Sequence, residues 1–189
     1  MKKFTTMLLV VAMVLSLAAC GSEQSGNEGT GETPLQILET VWGTYGDDEK
    51  FSIMGGGPEF EASVMDAPGA FDLTDGEAAD SLLGFPSSSV ALIDQAASIM
   101  HAMNQNTFTA GAYHVANEGD VEMLISDLED NIMNRQWMCG FPDTLIIVKV
   151  DANTLVSAFG EATNIENFKN KLTAAYSGAE VVSEQSLAQ

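Results

Sequence analysis

Apolar residues recur along this chain with two different spacings, and the places where one gives way to the other predict its elements. Leu35, Leu38, Val41, Trp42 and Tyr45 follow a helical period behind Thr33-Pro34. A capping hydroxyl followed by proline at the first helical position marks a helix start, so 34–45 reads as an amphipathic helix that stops at Gly46. Residues 51–54 read as a short strand. Gly55-Gly56-Gly57-Pro58 and Pro68-Gly69 break any regular element, which makes 55–74 a long loop with short pieces of strand. A short helix follows to Leu83, with Asp75 as its cap and Gly84 as its stop. Residues 87–103 carry two patterns: Leu92, Ala96, Ile99 and Met103 share one helical face, yet the segment also reads as a short helix followed by a strand at 97–103.

Beyond residue 107 the pattern sharpens. Residues 108–115 (FTAGAYHV) are β-type. Asn117 can cap a helix whose stripe is Val121, Leu124, Ile125, Leu128 and Ile132, with Glu122, Asp127, Glu129 and Asp130 opposite. Residues 144–150 (TLIIVKV), the turn Asp151-Ala152-Asn153 and 154–159 (TLVSAF) predict a hairpin. Thr163-Asn164-Ile165-Glu166 has the form of a capping box, ahead of Ile165, Phe168, Leu172 and Ala175 at helical spacing; Gly178 closes that helix, and 179–183 forms a last strand. The predicted fold class is therefore α+β: a ferredoxin-like split βαβ (β-α-β-β-α-β) over about 107–184, with an N-terminal helical and loop extension packed on it. Strand 144–150 is apolar on both faces, Ile146, Val148 and Val150 on one and Leu145 and Ile147 on the other. Two helices cover one face, and the N-terminal region has to cover part of the second. That predicts one composite domain over 34–184 with a tail at 185–189.

The first 33 residues have a different character. Met1-Lys2-Lys3 is a short positive start, 7–17 (MLLVVAMVLSL) is uncharged and apolar, and Ala18-Ala19-Cys20-Gly21 is small. This is the layout of an export signal over 1–19, and its apolar run is shorter than the ~20 residues of a spanning helix. Leu17-Ala18-Ala19-Cys20 resembles the bacterial lipobox. That resemblance implies peptidase recognition through Leu17, Ala18 and Ala19, a diacylglyceryl group on the Cys20 thiol, and lipoprotein-processing enzymes as partners. Residues 22–33 (SEQSGNEGTGET) lack large apolar side chains, so 20–33 reads as a flexible tether. Two acyl chains suffice for stable anchoring in a membrane.

Removing 1–19 leaves 170 residues with 5 basic and 27 acidic side chains, a net charge of −22. Phosphate contacts need clustered Lys and Arg, so nucleic acid is excluded as a partner. Between Lys50 and Arg135 there are 14 acidic residues and no basic one. With Cys20 committed to lipid, Cys139 has no partner for an intramolecular disulfide, and no metal-type Cys/His spacing occurs.

Signatures of specific chemistry are missing. The glycine run at 55–57 lacks the following Lys and Ser/Thr of a phosphate loop, and neither a Gly-x-Ser-x-Gly nor a His-Glu-x-x-His is present. Asp47-Asp48-Glu49 lacks the ligand spacing of an EF-hand loop. His101 and His114 are isolated in sequence and read as structural, as does Cys139; the dispersed methionines read as core filler. No catalytic residue, metal or cofactor is expected.

The lipobox, the Gly/Glu tether, Leu82-Leu83-Gly84-Phe85 and the strand-helix-hairpin-helix run of 107–176 together resemble small clostridial lipoproteins, found also in related Gram-positive anaerobes, that carry a domain of unknown function. The Gly-rich insert at 55–74 departs from that pattern. The resemblance implies location and fold class only. The expectation is an anchored, non-catalytic module for a protein, peptide or small-molecule ligand; a carboxylate-based surface hydrolase using 59–80 and a calcium-dependent module are the alternatives.

Overall fold

The computed structural model describes residues 29–187, apart from 58, 60, 61 and 139. The export signal, Leu17, Ala18, Ala19, Cys20, most of the tether and Cys139 lie outside the described residues. Among the described residues no helix is long and apolar enough to cross a membrane.

The fold is α+β, built on one eight-stranded antiparallel sheet. In chain order the elements are α1 (Pro34–Gly43), β1 (Ile53–Gly56), β2 (Ser63–Met65), β3 (Gly69–Ala70), α2 (Gly76–Leu83), a 3-10 stretch Ser87–Leu92, β4 (Ile93–His101), β5 (Phe108–Val115), α3 (Val121–Met133), β6 (Thr144–Lys149), β7 (Thr154–Gly160), α4 (Ala162–Ala175) and β8 (Glu180–Ser186). The strand order is β2-β1-β4-β5-β7-β6-β8, with β3 pairing β4 on the edge that β1 also uses. The N-terminal extension thus contributes four strands to a sheet shared with the C-terminal half.

The run from β5 to β8 has the expected β-α-β-β-α-β order, but its assembly differs from the ferredoxin-like expectation. β4 occupies the outer edge of β5, so β8 pairs with β6 instead. The steps β5-α3-β6 and β7-α4-β8 then move the same way across the sheet from strands of opposite direction. Right-handed crossovers accordingly place α3 and α4 on opposite faces, not on one. Each helix shares its face with one from the N-terminal region. Ile146 and Val148 lie with Ile37 of α1 and Phe168 of α4. Leu145 and Ile147 lie with Leu83 of α2 and Leu124 of α3.

Local chemistry explains several boundaries. Thr33 and Gln36 form a reciprocal capping box at the start of α1. Gly84 takes the left-handed conformation (φ 64°) that ends α2, and its N–H bonds to the carbonyl of Asp80 while Phe85 N–H reaches Ala79. The segment 87–103 resolves into the 3-10 stretch and β4. The helical alternative fails because Ala97 and Ile99 face α1 while Ala96 and Met100 face α2, a strand's alternation with both faces buried.

Asn117 does not cap α3 directly; a 3-10 turn, Glu118–Asp120, intervenes. The capping box at Thr163–Glu166 is not formed. The helix starts earlier, at Ala162, whose N–H is accepted by the Asp143 carboxylate from the loop before β6 (3.1 Å). Nor does Gly178 close α4, which ends at Ala175; Gly178 sits in the turn before β8. That strand extends to Ser186, through the start of the expected tail.

The glycine-rich insert has a packing role. A Cβ on Gly55 would lie 2.2 Å from the backbone N of Gly69 and 2.6 Å from the carbonyl oxygen of Ser98. Only glycine lets β1 and β3 meet side by side on β4. The buried Ser98 hydroxyl closes the junction, accepting from Gly56 N–H (2.8 Å) and donating to Gly56 O (2.9 Å).

Candidate functional site

The sheet has two ends. At one, β4 begins, β5 finishes and the β6–β7 turn closes; residues 29–33 lie across it. Thr30 gives both its N–H (2.8 Å) and its hydroxyl (3.0 Å) to Asp151 Oδ2, and the Tyr176 hydroxyl donates to Glu32 (2.8 Å). Burial, reinforced by that carboxylate, pushes the Tyr176 phenol up to about 12. The expected tether is therefore bound to the body over its last residues.

Two clefts open beside this strap. The larger, about 700 Å³, is lined by apolar groups that include Leu35, Phe71, Val90 and Ile93, with Asp72 and Asp94 among its polar residues. The smaller, about 340 Å³, is lined by residues 29 and 31–34, Gln95, His114 and 151–154. They share Thr33, Pro34 and Gln95. Neither lining contains a Lys or Arg. The N–H and hydroxyl of Thr74 hydrogen-bond Asp72 and hold its carboxyl below the usual range.

A β-bulge builds the polar centre. The β4–β5 register shifts between Ile93 and Gln95, leaving Asp94 as the extra residue. Ile93 and Ala96 then share one face, and Asp94 is free to reach the strand neighbour His114. His114 Nδ1 and Asp94 Oδ1 stand 2.6 Å apart, both partly open to solvent. With Nδ1–H donating to the carboxylate, Nε2 is the free ring nitrogen. His114, read from sequence as structural, is thus the side chain around which this site is organised. Sequence alone gave no sign of the bulge that supplies its partner.

An imidazole oriented by a carboxylate can act as a base, but nucleophilic catalysis also needs a free nucleophile. The hydroxyls lining these clefts are engaged: Thr33 with Gln36, Thr74 with Asp72, and Thr154 with Asp151.

The other histidine and the acidic runs lie elsewhere. His101 is not in this cleft; it accepts from Met103 N–H and Asn104 N–H (3.1 and 3.2 Å) and stacks on Phe51 at the far end of the sheet. Glu49, from the acidic run Asp47-Asp48-Glu49, pairs with Lys171 (2.8 Å). The hydrogen bond from Lys171, ahead of that from Gly46 N–H, lowers its carboxyl below the ordinary range. A third cleft, about 500 Å³, gathers Asp80, Asp127 and Asp130, but Asp127 accepts from Ser89 (2.6 Å) and Asp80 from Asn131 (2.9 Å). Among the described residues no three His, Cys, Asp or Glu side chains are grouped to hold a metal ion. Comparison with protein-family models, curated proteins and solved structures finds no significant match.

Proposed function

We propose that this protein is a lipid-anchored extracytoplasmic binding module. The Cys20 lipid holds it to the outer face of the cell membrane, and the paired clefts beside His114 and Asp94 receive a small ligand with a positive charge on an apolar body. One observation carries the ligand reading: the larger, mostly apolar cleft has Asp72 and Asp94 in its lining and the adjoining smaller one has Glu32, with no Lys or Arg among either set of lining residues. A cation entering such a site gains Coulombic attraction while its apolar part is shielded from water. The leader, the Leu17-Ala18-Ala19-Cys20 tetrad and the Gly, Ser and Glu composition of 20–28 support the anchor.

Three probes of one shape test the ligand class: phenethylamine, phenethyl alcohol and phenylacetate, titrated calorimetrically into the protein. Binding should fall in that order. Asp94→Asn should weaken the amine about tenfold, which is about 1.4 kcal/mol, and leave the alcohol unchanged. Equal affinity for all three probes, or no binding by any at millimolar concentration, refutes the reading.

A further inference from the structure

The far end of the sheet presents apolar side chains that the cleft does not use. Met103 is 86% exposed, Met138 80% and Phe141 61%. The expectation that methionines fill the core fails here. Of the seven in the mature chain, Met100 is buried and Met54 half-buried, while Met65, Met103, Met123, Met133 and Met138 are exposed. Asn106 ties the two loops involved together, its side-chain amide donating to the carbonyls of Met138 (2.8 Å) and Gly140 (3.0 Å). Its own N–H goes to Asn104 Oδ1 (3.1 Å), and His101 receives Met103 N–H (3.1 Å). Exposed thioether side chains beside one another on linked loops make an adaptable contact surface.

What covers this end follows from where the chain enters and from charge. Residue 29 lies at the opposite end, about 27 Å away along an eight-residue strand. Residues 20–28 (CGSEQSGNE) contain no large apolar side chain to lay on the patch. A second copy would bring another net −22 charge to a surface where Asp143 and Glu161 are already exposed. Tethered by its other end, the patch points away from the lipid. We propose that this end docks another extracytoplasmic protein, one that offers an apolar side chain flanked by Lys or Arg. The docking surface is independent of the ligand reading; its outward orientation and the extracytoplasmic location of the partner rest on the anchor.

Position-specific photocrosslinking in cells, on the full lipidated chain, tests this. Benzoylphenylalanine is placed at position 103 or 141, and at Ser126 on the exposed side of α3 as control. The expected result is one adduct with a different protein from positions 103 and 141, none from 126, and at least a tenfold loss of the position-103 adduct in Met138→Glu. The crosslinked peptide should contain Lys or Arg beside an apolar residue. Met138 is exposed, so a wild-type melting midpoint for Met138→Glu establishes that folding is intact; Phe141→Ser is the second disrupting variant, read from position 103. An adduct made only of two copies of this chain, an adduct with lipid, the same adduct from 126, or no adduct overturns the proposal. Repeating the experiment on Cys20→Ala separates the two ideas: an adduct that persists in a released protein upholds docking while the anchor is judged by fractionation.

Discussion

Replacing Asp151 by Asn should loosen the strap that joins residues 29–33 to the domain. Asp151 is 3% exposed, and its carboxylate receives Thr30 N–H and Thr30 hydroxyl on Oδ2 and Asn153 N–H (3.0 Å) on Oδ1. Burial pushes its pKa up, but the hydrogen bonds from Thr30, Asn153 and Thr154 outweigh it and hold the carboxyl below the usual range. In Asp151→Asn one oxygen becomes an NH2 group that faces donors. Hydrogen bonds to a charged acceptor are worth about 1.5–3 kcal/mol each. Thr30 is half-buried and regains some bonding from water, so the net loss should be about 2–3 kcal/mol. For a domain of this size that lowers Tm by about 5–10 °C. The sign of the pH dependence follows from linkage. A carboxyl with a depressed folded pKa adds stability that is complete above its unfolded value, about 3.9, and is lost as pH falls through the folded value. Calorimetric scans should therefore show the full gap between wild type and Asp151→Asn at pH 7, shrinking below about pH 4. Hydrogen exchange at pH 7 should quicken first in 30–33. An unchanged Tm at pH 7, or a gap that stays constant down to pH 2, refutes the reasoning.

Gly55→Ala should cost more than 3 kcal/mol, roughly the range of severe core strain, because the new methyl has only backbone atoms of Gly69, Pro68 and Ser98 to displace; near-normal urea denaturation would contradict this. Arg135→Lys should lower the urea midpoint by about 1–2 kcal/mol equivalent, since the guanidinium forks onto the carbonyls of Asp80 (2.6 Å) and Ser81 at the end of α2 and a single ammonium cannot; an unchanged midpoint would remove that role. Phe168→Ala should destabilise by about 3–5 kcal/mol, because its ring is fully buried edge-on to Phe108 at 5.3 Å between α4 and the sheet; a loss under 1 kcal/mol would mean that α4 does not anchor that face.

Features written by neighbouring residues were readable in the sequence. The Thr33 and Asp75 caps, the Gly84 stop, the stripe of α3 and the β6–β7 hairpin are all local, and the structure has them. Features that need distant partners were not. The start of α4 depends on Asp143, 19 residues upstream, so a local capping pattern at Thr163 misplaced it. β4 is buried on both sides, which erases the alternation that identifies a strand and leaves Leu92, Ala96 and Ile99 looking helical. The position of β8 turns on β4 having taken the edge of β5, a competition no single segment records. The candidate site was hidden for a similar reason. A one-residue register shift in β4 pairs Asp94 with His114, and a segment whose composition promises slack is pinned by the individual side chains of Thr30 and Glu32.

The proposed anchor would set the strapped end of the sheet, with its clefts, toward the membrane and the methionine end away from it, so that orientation depends on the proposed lipid. Intact-mass and N-terminal peptide spectrometry of the protein purified from its own membranes measures that directly. The account predicts a mature chain that begins at Cys20 and carries a thioether-linked diacylglyceryl group. A chain that retains residues 1–19, or one that begins elsewhere without acyl chains, contradicts it.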